Sequence, residues 1–353
     1  AEHPARPRRV GIGRLEDFVR VVLCSLGLEP GDAATTAALM VAADARGADA
    51  HGVFRLAQYA RRIRSGGINP RPQVTVVEDH PATAVVDGDN GMGHVVMSRA
   101  ASIAIGKARS AGIGWVGVRR SNHAGPAGLY AAMAAEQSMV GLYLAIGNAN
   151  HMAPWGGIEP LLSTNPIAVA VPAGRNPPVV LDMATTTVAY GRVKRVARAG
   201  GSIPEGWMID AQGRSLTDPG RIGEGTLLPA GGYKGYGLSL VIGLIAGTLN
   251  GAAFGRSVVD FNADHTTVTN TGHSIVAVDV ARFMDVATFG GMVDAACEDI
   301  QASPPVPGGP PVRIPGWQAA ANLELSRRSG VPLTADLVAE LDELAGSLGV
   351  ARL

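Results

Sequence analysis

The stretch Gly112-Ile113-Gly114-Trp115-Val116-Gly117 decides the fold. It matches GxGxxG, a pattern that seats a dinucleotide only when a strand leads into it and a helix opens on it. Here the order is reversed. A helical stretch near 95–110 comes first, and Trp115-Val116-Gly117-Val118 reads as the strand that follows. These glycines turn a helix into a strand, and a Rossmann assignment is rejected.

Outward from that point, short β-branched runs at 74–77, 84–86, 115–118, 140–146, 167–171, 179–181 and 274–278 alternate with helical stretches. The helical stretches lie near 95–110, 126–137, 186–199, 236–250 and 281–302. Such alternation indicates an α/β core. The chain start is helical. Leu15, Phe18, Val19, Val22, Leu23 and Leu26 recur at helical spacing before Gly27, and Pro30-Gly31-Asp32 opens a second helix running toward Asp49. The segment through His51 continues helically to Arg64, where Gly66-Gly67 ends it. No helix crosses the Pro/Gly-rich stretch 303–311, and two more helices follow near 317–328 and 334–347. The expected organisation is a helical domain at 10–75 onto which 312–353 packs back, an α/β domain at 76–302 and a loop at 303–311.

At 353 residues, with 46% hydrophobic and 17% charged side chains, the chain has material for a large core. Its formal net charge of zero advertises neither nucleic acid nor an anionic membrane, so a small molecule or a second copy of the chain is the expected partner. Cys24 and Cys297 form no CxxC pair, which argues against a disulfide scaffold and fits a reducing cytoplasm. The opening AEHPARPRR (1–9) has no apolar signal core and reads as a loose arm. The apolar run Leu238–Gly247 falls short of the ~20 residues a bilayer span needs and reads as a buried helix.

Chemistry concentrates in a few places. Arg46-Gly47-Ala48-Asp49-Ala50-His51-Gly52-Val53-Phe54-Arg55 with Tyr59 sets His51, Arg55 and Tyr59 at steps of four, on one face of a helix. An imidazole that hands on protons, a guanidinium fork and a phenol suit a small acid carrying a carbonyl, although solvated or capping groups are the plainer alternative. His123 lies in the strand-to-helix loop Ser121-Asn122-His123-Ala124-Gly125-Pro126, as a binding residue or a satisfied loop histidine. Gly231-Gly232-Tyr233-Lys234-Gly235-Tyr236-Gly237 opens the apolar helix, either as a phosphate seat or as an ordinary glycine-rich entry. Asp182, in Leu181-Asp182-Met183-Ala184-Thr185-Thr186, holds a ribose hydroxyl or caps a helix starting near Thr186. The eight histidines include no HExxH or HxH pair, so no metal site is expected, and no GxSxG elbow supports a hydrolase.

Together RGADAHGVFRLAQY (46–59), RRSNHAGPAGLYA (119–131), MAPWGG (152–157), STNPIAVAVP (163–172), VVLDMATT (179–186), GGSIPEGWMIDAQG (200–213) and LLPAGGYKGYGLSL (227–240) resemble the non-Rossmann malate/L-lactate dehydrogenase family. That family includes ureidoglycolate, sulfolactate and diketogulonate dehydrogenases or reductases and reductases of cyclic imino acids. The resemblance, over about 12–350, implies a homodimeric NAD(P)-dependent oxidoreductase with a non-Rossmann mixed-sheet α/β nucleotide-binding domain and a separate helical domain built from both chain ends. It places His51 at the proton donor and His123 at a second histidine given that role in some members. It places Pro178, Val179, Val180, Leu181, Asp182, Met183 and Ala184, then Tyr233 with Lys234, then Gly316, Trp317 and Gln318, at cofactor-contacting segments. Gln318 stands where many relatives carry an acid, and Ala50 where the pattern has a serine whose hydroxyl touches substrate, so substrate identity is not carried over.

The expected reaction is hydride transfer between NAD or NADP, with NAD favoured, and C2 of a small 2-oxo or 2-hydroxy acid. Arg55 is expected on the substrate carboxylate, with Tyr59 beside it and Asn148 orienting substrate or nicotinamide. The alternatives are reduction of a cyclic imino acid, or a relative of this fold that only binds a metabolite.

Overall fold

The computed structural model describes residues 7–198 and 200–353. Strand β1 (Arg8–Val10) leads into helices α1 (Ile12–Ser25), α2 (Pro30–Ala45) and α3 (Leu56–Arg64). There follow β2 (Thr75–Asp79), β3 (Thr83–Asp87), α4 (Gly93–Ala111), β4 (Ile113–Ser121), α5 (Ala127–Ala135), β5 (Met139–Ala145) and β6 (Asn150–Met152). Next come β7 (Leu162–Ser163), β8 (Ile167–Val171), β9 (Val179–Met183), α6 (Tyr190–Arg198), β10 (Met208–Ile209), β11 (Thr226–Leu227) and α7 (Tyr233–Ala246). The chain closes with β12 (Thr271–Asp279), α8 (Val286–Gln301), α9 (Trp317–Ser329), β13 (Val331–Leu333) and α10 (Ala335–Leu348).

The main sheet has seven strands in the order β2-β3-β4-β12-β5-β8-β9. It is mixed: β3 and β4 pair in parallel, and the other neighbours pair antiparallel. The glycines of the 112–117 stretch each have a local reason. Gly112 ends α4 at φ 86°, a left-handed conformation. A Cβ on Gly114 would lie 2.1 Å from the Ala104 carbonyl oxygen, and one on Gly117 would lie 2.1 Å from Asn250 Oδ1. The helix therefore stops at Gly112, and α4 and the 248–250 turn press close on the new strand. The expected helix-to-strand reading holds.

Helices α4 and α5 cover one sheet face, where Val96, Met97, Ala100, Leu129 and Tyr130 pack on Val116, Val118, Tyr143 and Ile275. On the other face, Ile242 and Ala246 of α7 meet Leu144 and Ile146. A second core joins α1, α2 and α3 to α10 through Leu15, Phe18, Val19, Met40, Val41, Leu56, Leu341 and Ala345. Helix α2 serves both cores, giving Leu39 and Ala43 to the first and Met40 and Val41 to the second.

Several expectations are corrected. Arg8 and Arg9 do not belong to a loose arm, because β1 pairs antiparallel with β13; residues 1–6 of that arm lie outside the described residues. The helix expected over 186–199 starts at Tyr190, because Thr185 and Thr187 donate their N–H groups to the Thr164 and Leu228 carbonyls and so stay extended. Ala199, at its far end, lies outside the described residues. The helix expected from 281 starts at Val286, where Asp285 caps it through the Thr288 N–H. The apolar run in α7 is not a buried helix, since Leu238, Val241 and Leu244 are exposed. A small second sheet, β10-β11-β6-β7, escapes sequence periodicity because its strands are two or three residues long. No helix among the described residues is long and apolar enough to cross a membrane.

Candidate active site

The segment carrying His51 is not one helix. Asp49–His51 and Val53–Arg55 are separate 3-10 turns, and α3 starts only at Leu56. The break sits at Gly52, where a Cβ would lie 2.0 Å from Asp44 Oδ1. Buried Asp44, at the end of α2, accepts the Val53 N–H at 2.8 Å and so fixes the start of the second turn. Burial pushes its carboxyl up to about 7.

The kinked strap still brings the expected side chains together. His51 Nδ1 lies 3.3 Å from His123 Nε2, and the two rings stack 13° from parallel. Tyr59 Oη bonds the other nitrogen of His123. Burial, then the Arg55 cation, pushes His51 down to about 4 and His123 well below the ordinary histidine value. Burial raises the Tyr59 phenol, which therefore stays protonated. The Arg55 fork donates from Nε to the Ala50 carbonyl and from Nη1 to Gln58 Oε1 at 2.7 Å and Asn262 Oδ1 at 3.2 Å. Asn148 reaches the group through its backbone, its carbonyl accepting the Phe261 N–H at 2.9 Å.

Sequence reasoning missed four neighbours. Phe261 packs on His123 and Tyr59, and Asn262 and Gln58 brace Arg55. Gln58 had a signal, since it lies between Arg55 and Tyr59 in the stretch already singled out; the 260–267 loop has no periodicity and gave none. His94 is fully buried edge-on to Tyr59, with both ring nitrogens unpartnered, and burial pushes it down to about 3. Beside the site, His151 stacks on Tyr190 with ring centroids 4.4 Å apart. A Cβ on the next residue, Gly191, would lie 3.9 Å from Ala50 Cβ, so α6 stands over Ala50.

The segments expected to contact a cofactor converge on β9, an edge strand of the main sheet. Val180 donates its N–H to the Pro315 carbonyl, and Trp317 Nε1 donates to the Pro177 carbonyl. A Cβ on Gly316 would lie 2.8 Å from Val180 Cβ, so glycine lets these backbones meet. Beyond the strand end, Ala230 donates its N–H to the Thr185 carbonyl, which brings the Gly231-Gly232 turn alongside. Helix α7 opens there without a side-chain cap, with Tyr233 and Lys234 exposed and open space around Gly231. One detail differs from expectation: Asp182 caps no helix near Thr186, and its Oδ2 accepts the Gly128 N–H at 2.7 Å, at the start of α5. Gln318, exposed, donates to Asn322 within its own helix.

A mixed α/β sheet outside the Rossmann class thus carries a buried histidine pair beside an arginine fork. The chain belongs to the malate/L-lactate dehydrogenase family, whose model matches residues 10–342. It is 38% identical over 353 residues to a malate dehydrogenase of Pyrococcus horikoshii, covering 98% of this chain and 97% of that one. The solved structure of that organism's malate dehydrogenase superposes with a TM-score of 0.91 at 34% identity, covering 100% of this chain and 99% of the other. Ureidoglycolate dehydrogenase (NAD(+)) of Escherichia coli is 32% identical over 92% of both chains. A (2R)-3-sulfolactate dehydrogenase (NADP(+)) of Chromohalobacter salexigens is 34% identical over 79% of this chain and 83% of its own.

Proposed function

We propose that this dehydrogenase moves a hydride reversibly between NAD or NADP and C2 of a small 2-oxo or 2-hydroxy acid. The observation that carries the reading is the His51–His123–Tyr59 chain of contacts beside the Arg55 fork. The residues present suit the cofactor. An uncapped helix N-terminus with open space at Gly231 and exposed Lys234 suits a phosphate, and the half-exposed edge of β9 with Gly316 and Trp317 offers a backbone seat. The 178–184 segment, Tyr233, Lys234 and 316–318 would hold it, and its nicotinamide would supply or take the hydride.

Arg55 grips the substrate carboxylate, and Asn148 orients the substrate from the 147–150 loop. In oxidation, His51, kept neutral by burial and by Arg55, takes the hydroxyl proton. In reduction, a carboxylate seated on Arg55 offsets that cation's share of the push, burial remaining the larger cause, and protonated His51 gives its proton to the oxygen at C2. Tyr59 holds His123, and His123 holds the His51 ring.

The finer readings are part of the same proposal. Exposed Leu238, Val241 and Leu244 of α7 are a face that a second copy would cover, which supports a homodimer. Free Cys24 and Cys297 suit a reducing cytoplasm. The chain divides into a helical unit, 10–75 with 312–353, and an α/β unit, 76–302, joined through 303–311. Initial rates with NADH and NADPH against a panel of 2-oxo acids and one cyclic imino acid test the function. Turnover confined to the imine would replace the oxo-acid reading.

A further inference from the structure

We propose that Arg62 is a positioning residue that aims the Arg55 fork by clamping the 260–267 loop, an inference that rests on Arg55 as the carboxylate ligand. Arg62 is fully buried on α3, yet no carboxylate pairs with it among the described residues. The carboxylate nearest in sequence to its contacts, on Asp264, is taken up by Thr266 and Thr267 of its own loop. The guanidinium instead binds backbone. Nη2 donates to the Thr267 carbonyl at 2.7 Å and the Gly67 carbonyl at 3.3 Å, and Nη1 donates to the Asp264 carbonyl. Its Cζ lies 4.6 Å from the centre of the Phe261 ring. A buried cation that feels the Asp264 charge without a direct ion pair is costly, and an apolar side chain would fill the space at less cost. What an apolar side chain lacks is a rigid fork able to hold two carbonyls of one loop together with that of Gly67.

Gly67 is part of the clamp. A Cβ there would lie 2.2 Å from the His265 carbonyl oxygen and 3.0 Å from Arg62 Nη2. The far side of the clamped loop is the active site. Phe261 lies against His123, its carbonyl accepts from Gln58 Nε2 at 3.2 Å, and Asn262 Oδ1 accepts from both Gln58 and Arg55. Arg62 touches neither Arg55 nor His123 by any hydrogen bond in the structure; its effect passes through Phe261 and Asn262.

The test is a double-mutant cycle on the full chain. Because Gln in place of a buried arginine can prevent folding, Arg62→Lys carries the test: it keeps the charge and loses the fork. Arg62→Lys, exposed-site Asn262→Ala, the double variant and Arg55→Lys are compared for KM of the best 2-oxo acid, for NAD(P)H affinity by fluorescence titration and for Tm. The expected result is a KM raised about ten- to a hundredfold in Arg62→Lys, with NAD(P)H affinity unchanged. The double variant should go no higher than the worse single one. A lowered Tm with normal KM, or single effects that multiply in the double variant, overturns the proposal while Arg55→Lys still raises KM. If Arg55→Lys leaves KM unchanged, the carboxylate assignment falls and this inference falls with it.

Discussion

Lowering the pH from 7 to 5 should destabilise the ligand-free protein through its buried histidines. Burial holds His51 and His273 at about 4 and His94 at about 3. In the unfolded chain each titrates near the ordinary value of about 6.5. Below that pH the unfolded state takes up protons that the folded state refuses, so stability falls as the pH drops. Integrated from pH 7 to pH 5, each histidine costs about 2 kcal/mol. Asp44 works the other way. Its carboxyl is raised to about 7, so the folded state binds a proton there first and regains about 2 kcal/mol over the same interval. His123, also held well below its ordinary value by burial, costs about the same again. Four histidines therefore lose about 8 kcal/mol against about 2 regained, a net loss of about 6 kcal/mol and a large share of the 5–15 kcal/mol that typically separates folded from unfolded chains. Urea denaturation at constant ionic strength, at half-unit steps from pH 7 to pH 5, reads this directly. His94→Gln cannot titrate and should remove about 2 kcal/mol of the pH-dependent loss. Stability that stays level from pH 7 to pH 5, or a His94→Gln variant with the full wild-type slope, would refute the reasoning.

His51→Asn should lower kcat by about two to four orders of magnitude with cofactor affinity unchanged; near-normal turnover, with His123→Ala inactive, would exchange the two roles. Lys234→Ala should weaken NAD(P)H binding by about 1.5–3 kcal/mol, and an unchanged Kd in fluorescence titration would remove the lysine from the phosphate seat. Binding of oxamate to the enzyme–NADH complex should take up protons, because its carboxylate offsets the Arg55 charge that, second to burial, depresses His51 and His123. Calorimetry in buffers of different ionisation enthalpy measures this, and no proton uptake near pH 6 would contradict the proposed coupling.

The main sheet was legible because its strands are β-branched runs long enough to show a period, and because Gly112 marks where that period changes. The small sheet was not, since strands such as Leu162–Ser163 carry no period. His51, Arg55 and Tyr59 were found through a helical spacing that the chain does not follow. They converge because Asp44 pins the Val53 turn on the far side of Gly52. That carboxylate lies in a different helix, and no local pattern announces it. Phe261 and Asn262 were invisible for a related reason: their loop is placed by contacts with residues about 200 positions earlier in the chain, such as Arg62 to Thr267 with a separation of 205.

The pairing of β1 with β13 has a consequence for biosynthesis. Arg8–Val10 leave the ribosome long before Val331–Leu333, with the whole main sheet synthesised in between. Until then Phe18, Val19 and Leu56 have no α10 to cover them, so the nascent amino-terminal helices must wait with an apolar face open. The main sheet is complete once β12 emerges, ahead of Val331, and is free to form first. Chains stalled before Val331 would therefore be the species most exposed to aggregation and most dependent on a holding chaperone.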